Sequence, residues 1–140
     1  MNQISVVYAT KTKHSKKLAE AIGKALNVTA VDVKTSPVPR AAELLFLVGG
    51  IYAGKSSPGL IRYVEGLDVN QVKKVVLVTS SASVASRKQP EVYSLLTEKG
   101  VEVLEEISCP GSFLWLSFGH PNTADLEEAS ARAKKIAAGL

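Results

Sequence analysis

The chain has 140 residues, of which 46% are hydrophobic, which is enough for one domain with a full core and too little for two typical domains. It contains no run of about 18 apolar residues and no N-terminal signal pattern, so we expect a single domain over residues 1–140, cytoplasmic and without a membrane partner. One cysteine excludes an internal disulfide, and with two histidines no dedicated metal site is expected.

The net charge is +4, which would suit an acidic partner or a polyanion. Aromatic residues make up only 6% of the chain, however, and no nucleic-acid-binding motif is present. We therefore expect acidic protein partners rather than nucleic acid, and a monomer or a weak dimer.

The first predicted elements are a strand over residues 4–8 and a helix ending at Leu26, joined by a loop over residues 9–15 that is rich in hydroxyl groups. The N–H groups in the first turn of a helix have no partners within the helix, so a strand that leads into such a turn can bind a phosphate there. The pattern predicts a phosphate site in this loop. A solvated basic turn is the alternative.

The charges near this helix support a bound anion. Four lysines crowd its positive end, where each exposed cation costs about 0.3–1 kcal/mol: Lys11, Lys13, Lys16 and Lys17. The last predicted helix carries the favourable arrangement, with acidic residues from Asp125 onward in its first half and basic residues up to Lys135 in its second. An anion at the first helix would offset the unfavourable charges.

The rest of the chain alternates strands and helices. Further strands are predicted over residues 28–33, 44–48, 74–79 and 101–109, the last as a sheet edge because glutamates interrupt it. Two prolines make the second connection a loop or at most one turn of helix at residues 41–43. Three more helices begin at Pro58, at Pro90 and near residue 123, and glycines at positions 100 and 139 end the last two.

This order predicts an α/β fold: a doubly wound, five-stranded parallel sheet of order 2-1-3-4-5 in a three-layer α/β/α sandwich. Ligands of such sheets bind beyond the carboxyl ends of strands 1 and 3, where the strand order reverses. The loops placed there are residues 10–15 and 49–55, with residues 80–86 beside them.

These three loops resemble the FMN-binding loops of flavodoxins. Thr10, Thr12 and Ser15 match the phosphate loop of that family, whereas Lys13 and His14 stand where it usually has glycine and asparagine. Residues 48–55 are similar to the ring-binding loop of a flavodoxin subgroup, and residues 109–113 and 119–126 to its C-terminal segment. The resemblance covers nearly the whole chain and implies a flavodoxin-like fold with FMN as cofactor.

The resemblance also implies the site. Residues 10–15 would hold the FMN phosphate, and residues 50–55 and 80–86 the isoalloxazine ring. Tyr52 would stack on the ring or else anchor its loop, and Gly50 or Gly54 would present a flexible peptide to ring N5 or serve as an ordinary turn glycine. The predicted cofactor-binding residues are Thr10, Lys11, Thr12, Lys13, His14, Ser15, Gly50, Ile51, Tyr52, Ala53, Gly54, Lys55, Ser80, Ser81, Ala82 and Ser83.

Other chemistries find no support in the sequence. The chain has no Gly-x-Ser-x-Gly elbow, and Cys109 lacks the Cys-x5-Arg pattern of a phosphatase. The third strand leads into Gly49 and Gly50 rather than the phosphorylatable aspartate of a receiver domain. We therefore expect an FMN-dependent electron carrier with no catalytic residue of its own. The alternatives are a domain that has lost FMN and acts as a binding or assembly module, as Lys13 would suggest, or a small FMN-dependent reductase.

Overall fold

Strands and helices alternate along the part of the chain that the computed structural model describes, which is residues 4–9, 13–35, 41–52, 55–56, 58–81, 90–110 and 123–139. The elements are β1 (Ile4–Ala9), α1 (Lys13–Leu26), β2 (Ala30–Asp32), β3 (Ala42–Tyr52), β4 (Lys55–Ser56), α2 (Pro58–Glu65), β5 (Val72–Ser81), α3 (Pro90–Glu98), β6 (Glu102–Pro110) and α4 (Thr123–Ala138). No helix in these ranges is long and apolar enough to cross a membrane.

Five strands form a parallel sheet in the order β2-β1-β3-β5-β6. This order confirms the predicted 2-1-3-4-5, because β5 and β6 are the fourth and fifth parallel strands along the chain. The short strand β4 is antiparallel to the end of β3, with Tyr52 opposite Lys55. The central strand is β3, which pairs with β1 along one edge and with β5 along the other.

The helices cover both faces of the sheet, as the three-layer prediction requires. Residues of α1 and α4 pack on one face, and residues of α2 and α3 pack on the other. Phe46 of β3 faces the first pair of helices, whereas its neighbours Leu45 and Leu47 face the second pair, and all three are at most 1% exposed. A strand buried on both faces is apolar at every position, and each such side chain contributes about 1.5–3 kcal/mol.

The connection between β2 and β3 differs from the prediction at its end. Ala42 belongs to β3 rather than to a turn of helix, because it pairs with Val72 of β5 and its N–H donates to the carbonyl of Gln71 at 2.9 Å. Its side chain is buried as well. Strand β3 therefore begins at Ala42, where β5 offers its first backbone partner. Strand β2 is shorter than the predicted 28–33, because only three residues pair with β1.

The predicted edge position of β6 is confirmed, since β5 is its one partner among the described strands. Val103 lies opposite Val75 and Glu105 lies opposite Val76, so Leu104 is the extra residue of a β-bulge. Beyond the bulge, Glu105 accepts a hydrogen bond from Arg132 of α4 in a partly exposed ion pair. The bulge thus lets a strand with several glutamates keep its apolar side chains against the core.

Helix α3 ends as predicted, at a glycine in the left-handed region. Gly100 has a φ of 81°, its N–H donates to the carbonyl of Thr97, and the N–H of Val101 donates to the carbonyl of Leu96, both at 3.0 Å. These two bonds form a Schellman motif, and the buried side chains of Leu96 and Val101 belong to the same core cluster. Only glycine adopts this φ without a steric penalty.

Replacing Gly100 by alanine is expected to lower the free energy of unfolding by about 1 kcal/mol, because a Cβ in the left-handed region costs about 1–2 kcal/mol and alanine recovers part of this in the unfolded chain. Urea denaturation measures the change. The matched control is Gly66→Ala, also just after a helix but not at positive φ, which should leave the stability equal or higher. Equal losses in the two variants would contradict the role assigned to φ.

Candidate functional site

The carboxyl ends of β1, β3 and β5 meet at one edge of the sheet. Ala9, the last residue of β1, lies opposite Gly49, and Gly49 lies opposite Thr79 of β5. Strands β3 and β5 then continue together, with Gly50 opposite Ser80, whereas β1 ends at Ala9. This edge is the predicted point at which the strand order reverses, and it carries a step where β1 stops short of β3.

Strand β4 lies at this step. Strand β5 pairs with one edge of β3 as far as Ile51, and β4 pairs with the opposite edge at Ile51 and Tyr52. Earlier in β3, that opposite edge pairs with β1. Strand β4 was not predicted from the sequence, in which residues 49–55 were expected to form one loop. The sequence carries no strong signal for this strand, because Lys55 and Ser56 are neither apolar nor β-branched and no Asn-Gly or Asp-Gly pair precedes them.

Three of the predicted phosphate-loop residues belong to α1 rather than to a loop. The helix begins at Lys13, so Lys13, His14 and Ser15 form its first turn. Thr10, Lys11 and Thr12, which connect this turn to β1, lie outside the described residues. The loop was therefore predicted too long, because helix α1 begins two residues before Ser15 and a sequence rich in lysine and serine carries no strong local start signal.

Ser15 is the polar residue that stands out in this turn. Its side chain is fully buried, and its Oγ has no hydrogen-bond partner among the described residues. A buried hydroxyl without a partner costs about 1–3 kcal/mol. The first turn of α1 contains no acidic residue, and the next two side chains, Lys16 and Lys17, are exposed cations. This turn therefore has the donors and the charge that an anion requires, and nothing in the described protein satisfies the buried hydroxyl.

The predicted ring-binding residues are mostly in strands. Gly50, Ile51 and Tyr52 belong to β3, Lys55 to β4, and Ser80 and Ser81 to β5. They are brought together, since Gly50 lies opposite Ser80 and Ile51 opposite Ser81. The predicted loops were wrong here because each strand continues for as long as its neighbour offers backbone partners. Ala53, Gly54, Ala82 and Ser83 lie outside the described residues.

Two further residues with reactive groups lie on β6. Cys109 is opposite Ser80, so its backbone is at the same carboxyl edge. Glu106 is opposite Leu77, deeper in the sheet, and its Oε1 is buried without a hydrogen-bond partner. Within the described ranges, no three residues among His, Cys, Asp and Glu come together as a metal site would require.

No protein-family model matches this sequence, and no curated protein matches it. Solved structures do match. A flavodoxin from Streptococcus pneumonia TIGR4 has a TM-score of 0.71 at 16% identity, covering 98% of this chain and 99% of that one.

Two others are a flavodoxin from the domain Archaea (TM-score 0.65, 17% identity, 97% of each chain) and an NAD(P)H:quinone oxidoreductase from Methanothermobacter marburgensis (0.65, 12%, 95% of this chain and 94% of that one). At these identities the likeness concerns the fold.

The buried hydroxyl of Ser15 should affect the stability of the protein without ligand. Ser15→Ala removes a buried polar group that has no partner, so the free energy of unfolding should rise by about 1 kcal/mol without ligand. Thermal or urea denaturation measures it. Ser130→Ala, in the middle of α4 and only half-buried, is the control for the gain of about 0.5 kcal/mol from helix propensity alone. A less stable Ser15→Ala variant would show that the hydroxyl is satisfied in the empty protein.

Proposed function

We propose that this chain, which has a flavodoxin-like fold, is an FMN-binding electron-transfer protein. The observation that carries the proposal is the buried, unpartnered hydroxyl of Ser15 in the first turn of α1, directly after β1. A phosphate at this position would accept hydrogen bonds from that hydroxyl and from the free N–H groups of the turn. We assign the FMN phosphate to residues 10–15.

The charges of α1 are consistent with a dianionic group at this end. The first turn has no acidic residue, and Lys16 and Lys17 are exposed immediately after it. Without an anion, each cation at a helix N-terminus is unfavourable by about 0.3–1 kcal/mol. With the phosphate bound, the same cations become favourable, and their contribution weakens as salt is added because they are exposed.

The step between β1 and β3 is where we place the ring. Residues 50–52 and Lys55 form the hairpin at this step, and Ser80 and Ser81 lie beside it across the β3–β5 ladder. We assign the isoalloxazine to residues 50–55 and 80–86, with Tyr52 as the stacking residue. FMN supplies one- and two-electron redox chemistry when it is bound, and the chain binds it, orients it and limits its contact with water.

The net charge indicates the kind of partner. A carrier receives and passes on electrons at a protein surface, and complementary charge speeds the encounter. Since the chain carries a net charge of +4 and exposed lysines follow the proposed phosphate site, we propose redox partners with an acidic surface.

A flavin titration tests the proposal. The fluorescence of FMN should be quenched when FMN binds to the full chain. Riboflavin should bind about a hundredfold more weakly, because it lacks the phosphate that accepts about two charge-assisted hydrogen bonds. Thr12→Asp should abolish FMN binding because it adds like charge beside the phosphate. The control is Thr97→Asp on the exposed face of α3, which should bind FMN normally.

Equal affinity for FMN and riboflavin would show that residues 10–15 are not the phosphate site. The absence of any complex at tens of micromolar protein and flavin would reject the carrier function and favour the binding or assembly module.

The lysines near the phosphate should also set the reduction potential. A positive charge at moderate distance and an effective dielectric of about 20 is worth on the order of 1 kcal/mol, or about 40 mV in a one-electron couple. Lys11→Gln/Lys13→Gln should therefore lower the more negative of the two one-electron reduction potentials of bound FMN by tens of millivolts, as measured by redox titration. Lys24→Gln/Lys73→Gln removes the same charge at exposed sites elsewhere and should shift it less. An unchanged or higher potential in the first variant would contradict the assignment.

The second candidate function is a small FMN-dependent reductase, which the quinone oxidoreductase of the same fold favours. A reductase and a carrier differ in their source of electrons. Steady oxidation of NAD(P)H by the FMN-loaded chain with a quinone present would support a reductase, whereas a carrier needs a separate protein to reduce it.

A further inference from the structure

A cavity of about 290 Å³ lies beside β2, on the face of the sheet that α2 and α3 cover. It is lined by Val33, Lys34, Gly59, Arg62 and Tyr63. The described residues of the β2–β3 connection, 33–35 and 41, contain no helix. Among the described residues, the cavity lies between the first and last turns of α2 and the turn that follows β2.

The floor of the cavity is apolar and held in place. Val33 and Tyr63 are each only 5% exposed and belong to the same core cluster. The N–H of Val33 donates to the carbonyl of Tyr8 at 3.0 Å, which keeps the chain against β1 after β2 has ended. A ligand in this space would therefore rest on an aromatic ring and a branched side chain that do not have to move.

Two cations from separate elements stand at the mouth. Lys34 follows β2, and Arg62 lies in the last turn of α2; both are exposed. A tight turn fixes the backbone of Lys34, since its N–H donates to Oδ1 of Asp32 at 2.9 Å and the N–H and hydroxyl of Thr35 both donate to the Asp32 carbonyl at 3.0 Å.

Across the described residues, neither Lys34 nor Arg62 forms an ion pair with a carboxylate. The nearby Asp32 carboxylate accepts a hydrogen bond from the backbone N–H of Lys34, and none of the described lining residues is acidic. Gly59 adds the first turn of α2, whose N–H groups have no partners within the helix. The lining thus combines two positive charges with an apolar floor.

We propose that this cavity binds a small organic anion, a carboxylate or phosphate attached to an apolar or aromatic group. A guanidinium binds either anion with two parallel hydrogen bonds, a lysine adds a point charge, and the ring of Tyr63 receives the apolar part. The volume of about 290 Å³ lies just below the range of about 300–1,000 Å³ for ligand pockets, so the proposed ligand is a small one with a single ring. The cavity shares no residue with the proposed FMN site and does not depend on it.

An NMR titration of the full ¹⁵N-labelled chain without flavin tests this site. Phenyl phosphate or benzoate should cause saturable chemical-shift changes of the amides of Lys34, Gly59 and Tyr63. The compound that binds with higher affinity identifies the preferred anion. Benzyl alcohol has the ring without the charge and should cause no saturable shift there. The proposal would be overturned if benzyl alcohol shifted these amides as much as the anions do, or if neither anion shifted them.

Charge variants separate this site from the proposed phosphate site. Lys34→Gln/Arg62→Gln should weaken binding about tenfold, whereas Lys24→Gln/Lys73→Gln, with the same loss of charge at exposed positions elsewhere, should not. Phenyl phosphate could also shift amides in the first turn of α1, and the cavity variant should leave that second set unchanged. The site would be refuted if Lys34→Gln/Arg62→Gln left the amide shifts at the cavity unchanged, or if the control pair weakened binding by the same factor. Either result would count against the cavity whether or not the chain binds FMN.

Discussion

The rest of the structure depends on the double burial of β3. Its side chains are packed on both faces, and its backbone is paired on both edges, with β1 from Ile4 opposite Leu44 and with β5 from Ala42 opposite Val72. A strand held in this way cannot slip by one residue without turning every side chain to the opposite helix layer. Its register therefore decides where the neighbouring strands end, and so where the two helices of each face are placed.

The candidate site follows from unequal strand lengths at one edge. Strand β1 ends at Ala9, whereas β3 continues to Tyr52 with β5 on one side and β4 on the other. The chain that leaves β1 must enter α1 within three residues, which brings the first turn of that helix to the step. The buried hydroxyl of Ser15 lowers the free energy of unfolding of the protein without ligand. A ligand that satisfies it would stabilise the folded chain by an amount that rises with the logarithm of ligand concentration over Kd.

The position of α1 is set at its other end. A Cβ on Gly23 would lie 2.6 Å from the carbonyl oxygen of Val28, so the helix and the turn into β2 approach more closely than any other residue would allow. Asn27 ends the helix at a φ of 60°, and the N–H of Val28 donates to the Gly23 carbonyl at 2.8 Å. This contact and the buried face around Leu18 and Ile22 hold the helix whose first turn forms the candidate phosphate site.

The sequence by itself determined the burial of β3, the starts of α2 and α3 at prolines and the left-handed Gly100, because each depends on local periodicity or on one residue's backbone preference. It also determined the strand order, because alternating strands and helices require right-handed crossovers in a parallel sheet. The tertiary structure decided where strands end. Gly50 and Ser80 continue their strands because each offers the other a backbone partner, which no local pattern encodes. It also decided that Lys34 and Arg62, from separate elements, line one cavity, since that proximity depends on how α2 packs beside β2.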